Sequence, residues 1–205
     1  MPAAAPIVLP TRTRVLDAAV GLFGTRGYEA TSLDQVADAS GVRKQTVLYH
    51  FGDKEGLLAA VIDRSAADLT AALERGLARP GLVGWERVEA VVRATFQLAA
   101  RRPALLGLVR EVSRLGGAPA ARLTTTLEPL VHRATAFLDA EMAAGRIRTQ
   151  DPRLVLLAAY STVIGAATEV EVLRALGYPP TARSVALRRT ELLAFLRQAL
   201  QPPPG

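Results

Sequence analysis

Apolar residues recur at three- and four-residue intervals along almost the whole chain and nowhere alternate as in a half-buried strand, so the pattern predicts helix after helix. Val15, Leu16, Ala19, Leu22 and Phe23 mark the inner face of a first helix over residues 11–26, with Thr11 as N-cap and Gly27 as its stop. Ser32 and Gln35 have the spacing of a capping box, in which each side chain satisfies the other residue's backbone N–H. Leu33, Val36 and Ala37 share one face of the short helix that box would start. Ser40-Gly41 interrupts it, and Gly41 can take a left-handed turn without steric cost. A second short helix from about Arg43 turns Val47 and Phe51 inward and Gln45, Leu48 and Tyr49 to the opposite side. Two short helices hinged this way form a helix-turn-helix pattern, whose second helix would lie in the major groove of DNA.

The pattern continues with a long fourth helix, capped by Asp53 and ending before Pro80-Gly81. A fifth is expected over 85–101, and a sixth opens at Pro103 and ends before Gly116-Gly117. A seventh covers 120–144, with a kink near Pro129. Asp151-Pro152, a cap followed by a first-turn proline, starts an eighth that runs to about Ala175, and a ninth covers 181–200. The expected fold is all-α: a three-helix helix-turn-helix DNA-binding domain over 11–58 and a helical domain over 59–200. Residues 1–10 and 201–205 read as disordered tails.

Composition narrows the chemistry. Half of the residues are hydrophobic but only 5% are aromatic, so the core is built mainly from Ala, Leu and Val. The absence of cysteine excludes disulfides, thiolate zinc sites and cysteine nucleophiles. With His50 and His132 as the two histidines, a histidine-rich metal site is not expected. No nucleophile elbow, phosphate-cradling glycine loop or metal-binding helix occurs, and Asp34, Asp38 and Glu55 read as dipole complements and solvated faces, so no catalytic residue or cofactor is expected. The first ten residues lack the basic region of a signal peptide, and the apolar run 154–167 is too short to span a bilayer; no membrane association and a cytoplasmic location are expected. The net charge of +6 belongs entirely to residues 81–205, because residues 1–80 hold 9 basic and 9 acidic side chains. A DNA footprint would therefore be local: Arg43, Lys44 and Lys54, with Arg12 and Arg14 in the preceding segment.

The flanks of the helix-turn-helix add specificity. Ala18-Ala19, Leu22-Phe23, Gly27-Tyr28 and Thr31-Ser32 precede the Gly41-Val42 turn, and Thr46, Tyr49-His50-Phe51, Lys54-Glu55 and Leu57-Leu58 follow it. In these residues, about a quarter of the chain, the sequence resembles the DNA-binding domain of TetR-family transcriptional regulators. The resemblance implies DNA contacts from Ser32, Arg43, Lys44, Gln45, Thr46, Leu48, Tyr49, His50 and Lys54. Arg43 and Lys44 place two cations at a helix N-terminus, where the dipole disfavours them by about 0.3–1 kcal/mol each. A phosphate or a guanine edge would reverse that penalty; a solvated basic turn is the alternative. Arg43 departs from the family's small hydroxyl residue. Leu48 stands where the family usually has tyrosine, so it packs on a thymine methyl or simply covers its own domain. Phosphate binding then falls to Tyr49, His50 and Lys54.

In the second domain the resemblance implies a ligand cavity lined by Phe96, Leu108, Val112, His132, Phe137 and Tyr160, with core packing as the alternative for each. Ala158, Ser161, Thr162, Gly165 and Ala166 form a small-residue face on the eighth helix, which permits close helix approach within a subunit or across a dimer. In the family the last two helices pair across a two-fold axis, which favours the dimer. The implied protein is a homodimeric transcriptional regulator, a repressor whose grip on an operator in double-stranded DNA is released by a small-molecule ligand, with the fourth helix transmitting the signal. A constitutive or architectural DNA-binding protein is the alternative. A helical enzyme or lipid carrier with an accidental motif match is a more distant one.

Overall fold

The computed structural model describes residues 10–77, 81–179 and 181–202, and every regular element among them is an α-helix. In chain order these are α1 (Thr11–Arg26), α2 (Leu33–Ser40), α3 (Lys44–Phe51), α4 (Lys54–Leu77) and α5 (Gly84–Arg101). They are followed by α6 (Pro103–Leu115), α7 (Gly117–Ala143), α8 (Pro152–Thr168), α9 (Val170–Ala175) and α10 (Ala182–Leu200). Residues 1–9 and 203–205 of the expected tails lie outside the described residues.

The expected start signals act as their chemistry requires. The Ser32 hydroxyl accepts the Gln35 N–H at 3.2 Å while the Gln35 side chain accepts the Ser32 N–H at 2.8 Å, completing the capping box. Asp53 accepts the Gly56 N–H at 2.7 Å, and Asp151 accepts the N–H groups of Arg153 and Leu154 ahead of Pro152. Gly41 ends α2 in the left-handed conformation, at φ 66°.

Three expectations are corrected. Thr11 is already helical, and Pro10 holds the N-cap position, its carbonyl accepting the N–H groups of Thr13 and Arg14. α7 begins at Gly117, three residues before the expected start, and as expected runs through Pro129. The helix expected from 152 to 175 is two helices, parted at Glu169, whose ψ of 71° is not helical.

The principal core joins α1–α4 to α6 and α7. Val15, Phe23, Val36, Val47, Leu57 and Ile62 share one cluster with Leu108 and Val112 of α6 and Leu123 of α7, so packing is continuous across residue 58. α1 and α6 meet at backbone distance: a Cβ built on Gly24 would lie 2.0 Å from the Ala104 carbonyl oxygen, and one on Gly107 would lie 2.2 Å from that of Gly24. Two smaller clusters lie beyond. Val92, Phe96, Val163, Leu192 and Leu196 join α5, α8 and α10; Leu138, Met142, Val155 and Leu200 join α7, α8 and α10. Ion pairs brace α4 from outside: Asp63 with Arg122 at 2.6 Å, Asp68 with Arg102 at 2.6 Å, and Glu74 with Arg133 at 3.0 Å. No described helix is long and apolar enough to cross a membrane.

Candidate nucleic-acid interface

Burial of Val36, Ala37 and Val47, with Leu33 and Phe51 packed behind them, fixes α2 and α3 on α1 and α4. The outer face of α3 is then determined by helical geometry. Arg43, Lys44, Gln45, Leu48, Tyr49 and His50 are exposed, Thr46 is half-buried, and Ser32 is exposed at the start of α2. Tyr49 is 85% exposed, an aromatic ring that packing within the chain does not account for. His50 sits edge-on to it, ring centroids 5.2 Å apart.

The cations of this face are not equivalent. Lys44 is bound to Asp34 at 2.8 Å. The Lys54 ammonium lies 4.2 Å from the centre of the Tyr28 ring and 3.5 Å from the Glu29 carbonyl oxygen, and the Arg12 guanidinium lies 5.4 Å from the centre of the Phe51 ring. Arg14 is half-buried, its Nε without a hydrogen-bond partner. Arg43 is exposed and pairs with no carboxylate among the described residues. It also offers no side-chain acceptor at the N-cap of α3, so the first amides of that helix have no capping side chain. A helix start with open amides and an unengaged cation is suited to an anion.

One anchor of residues 11–58 has no signature in the sequence. The Tyr28 N–H donates to Glu111 of α6 at 2.8 Å, and Arg114 grips the same carboxylate at 2.8 and 2.9 Å. The Arg114 guanidinium, with the Tyr28 N–H adding to it, holds the Glu111 carboxyl below its ordinary value of 4.5 against the opposing effect of burial. The Tyr28 phenol, beside the Phe23 ring at 5.3 Å between centroids, is pushed up, chiefly by burial. Residues 28 and 111 stand 83 apart in sequence with no pattern linking them.

The six residues expected around a ligand are not brought together. Leu108 and Val112 line a cavity of about 10 Å³ between α4, α6 and α7, together with Ser65, whose buried hydroxyl has no partner. Phe96 belongs to the cluster under α10, and Phe137 packs beside Leu138 and Met142 with the Arg87 guanidinium 5.1 Å from its ring centre. His132 is exposed, because the inward stripe of α7 runs through Leu123, Leu127, Ala134 and Leu138. Tyr160 is half-exposed and lines a separate groove against α1 and α6.

Of the small-residue face of α8, Ala158 and Ser161 are exposed and Thr162 and Gly165 half-buried, while Ala166 packs on the chain's own core. Its carbonyl accepts from the buried Arg188 of α10, a cation where the α8 dipole favours one. The exposed face is more apolar than expected: Leu154 and Leu157 stand beside Ala158, and Leu187 and Phe195 are exposed on α10, which packs against α8. No group of three or more acidic or histidine side chains suited to a metal occurs among the described residues.

Residues 15–61 match the family model of bacterial regulatory proteins, tetR family. The chain is 47% identical over 53 residues to the HTH-type transcriptional repressor ComR of Escherichia coli (strain K12), covering 26% of this chain and 25% of ComR. It is 29% identical over 146 residues to the HTH-type transcriptional regulatory protein RaaS of Mycobacterium tuberculosis, covering 71% of this chain and 64% of RaaS. These matches span less than two thirds of the length of the curated relatives. The crystal structure of AibR in complex with isovaleryl coenzyme A and operator DNA superposes with a TM-score of 0.74 at 20% identity, covering 91% of this chain and 98% of that one, a likeness of fold.

Proposed function

We propose that the chain, whose residues 15–61 match the tetR family of bacterial regulatory proteins, is a sequence-specific DNA-binding regulator of that family, a repressor released by a small molecule. The observation that carries this reading is the outer face of α3, where Tyr49 is 85% exposed and Arg43 is unengaged at an uncapped helix start. In this reading Arg43 reads a guanine edge, Gln45 and Thr46 hydrogen-bond base edges or phosphate, and Leu48 meets a thymine methyl. Ser32, Lys44, Tyr49, His50 and Lys54 position the backbone. Lys44 reaches phosphate by leaving Asp34, an exposed pair that costs little to break. Residues 11–58 form the reading unit and 59–200 the part that binds ligand and dimerises.

A second copy of the chain covers Leu154, Leu157, Ala158 and Ser161 of α8 and Leu187 and Phe195 of α10, since a monomer gains nothing by exposing these apolar side chains together. Thr162 and Gly165 border that contact, and Ala166 supports it from within. Two-fold symmetry then requires a pseudo-palindromic operator with half-sites about 34–36 Å apart, or a multiple of that. The ligand reading is supported by the family and by AibR, which was crystallised with both isovaleryl coenzyme A and operator DNA. Ligand must bind the DNA-incompetent geometry better, typically by about 1–3 kcal/mol.

The test is a mobility shift with duplex from the gene's own upstream region across a salt series. Specific retardation that weakens steeply with salt is expected. Equal affinity for that duplex and for unrelated DNA would overturn the assignment.

A further inference from the structure

The internal cavity beside Leu108 holds about 10 Å³, room for a single water and nothing larger. A far larger space lies outside the helical bundle. A groove of about 670 Å³, within the size range of small-molecule sites, opens between the last turn of α1 and one face of α6, with Tyr160 of α8 at its side. Its apolar surface comes from Phe23, the Tyr160 ring and the bare backbone of Gly24 and Gly107, where the close helix crossing leaves no side chains. Its polar surface is dominated by cations on both walls. Arg26 lines it from α1 and pairs with no carboxylate among the described residues. Arg110 lines it from α6, bound to Glu169 at 2.6 Å in a pair nearly half exposed on each side, and therefore weakly held. Glu111 brings no free negative charge, because the Tyr28 N–H and Arg114 already engage it. The α1 dipole accounts for one cation at Arg26, but not for arginines converging from two helices.

We propose that this groove is a binding site for a small molecule with an anionic head, carboxylate or phosphate, on an apolar or aromatic body. The head seats between Arg26 and Arg110, and the body lies along Phe23 and the Tyr160 ring. One wall belongs to α1 of the reading unit and the other to α6 and α8, so a molecule seated there bears on the joint through which α6 holds the reading unit. Resting on the regulator reading above, this makes the groove an effector site, and binding there alters operator affinity.

Binding is tested on the full chain without DNA, by amide NMR shifts and titration calorimetry, with benzoate, phenyl phosphate and the neutral benzyl alcohol as probes. Both anions are expected to shift amides of residues 23–27 and 107–114, with benzyl alcohol about tenfold weaker, equivalent to about 1.4 kcal/mol. Arg26→Ala should weaken both anions about tenfold and Arg26→Lys should recover most of the loss. Ser113→Trp, which keeps every charge but fills the groove, should abolish binding. Thermal melting confirms that each variant folds. Shifts centred on Ile62, Leu108 and Leu123, equal affinity for benzyl alcohol, no binding at millimolar probe, or affinities unchanged in Arg26→Ala and Ser113→Trp would each overturn the site. Groove binding with unchanged operator affinity would overturn its effector role alone. Absence of any operator binding would instead sink the regulator reading, leaving the direct titrations to decide the groove.

Discussion

Replacing Glu111 should loosen the joint between the reading unit and α6. The side chain is only 10% exposed, and its carboxylate is the partner of the Tyr28 N–H at 2.8 Å. Glu111→Ala removes the acceptor and leaves that part-buried amide unsatisfied, at a cost of about 1–3 kcal/mol. The lost ion pair adds little, since the Arg114 side chain is 63% exposed. For a chain of this length, that corresponds to a melting point lower by roughly 2–12 °C. Glu111→Gln keeps a carbonyl for the Tyr28 amide and loses only the charge, so its loss should be smaller. The sign of its pH dependence follows from the carboxyl being held below 4.5 in the folded chain. Stability from the charged form is fully present above the unfolded value and is lost as pH falls through the folded one. The gap between wild type and Glu111→Gln should hold from about pH 6 to 8 and close progressively below about pH 4.5. Melting followed by circular dichroism across that range is the assay. A Glu111→Ala melting point within about 1 °C of wild type at neutral pH, or a Gln gap that widens in acid, would refute the reasoning.

Gly107→Ala places a methyl 2.2 Å from the Gly24 carbonyl oxygen, so α1 and α6 must separate; a loss of about 1–3 kcal/mol in urea unfolding is expected. Arg43→Ala should cost about 1–3 kcal/mol of operator affinity and relax preference at one base position, measured by competition with single-base operator variants. Lys54→Ala should weaken all sequences alike, but also lower the melting point, because its ammonium sits on the Tyr28 ring. Leu157→Glu or Phe195→Glu, on the exposed face of α8 and α10, should yield monomers in analytical ultracentrifugation and lose tight operator binding, since each would bury an unpaired charge between two copies.

What could be read from the sequence was local. The capping box at Ser32 and Gln35, the Gly41 turn and the inward Val47 each depend on neighbours within four residues, and all stand in the structure. Periodicity also found most of the helices, but not the break at Glu169, because the apolar pattern continues on both sides of it. The candidate pocket did not emerge as one site, because membership of a cavity depends on how helices far apart in sequence are rotated. His132 and Phe137 lie on one helix, yet one is exposed and the other packed. The apolar face of Leu154, Leu157, Leu187 and Phe195 went unnoticed for the same reason: in sequence, an exposed leucine is indistinguishable from a core one.

These contacts also bear on how a signal would reach α3. α4 is the candidate that the order of helices along the chain suggests, since it leads from residues 11–58 into the remainder. In the structure α4 is held on its outer side by the exposed pairs Asp63–Arg122 and Glu74–Arg133, whose partners can exchange with water at little cost. The α1–α6 crossing is different in kind. Backbone meets backbone at Gly24 and Gly107, and Glu111 fastens the Tyr28 amide, so neither helix can slide without losing packed contacts. A displacement of α6 would carry α1 with it, and would bear on α4 through the core that Leu57 and Ile62 share with Leu108 and Val112. Coupling that runs through the α1–α6 crossing should be weakened more by Gly107→Ala than by Ile62→Val in the buried face of α4, whereas transmission through α4 alone requires the reverse order.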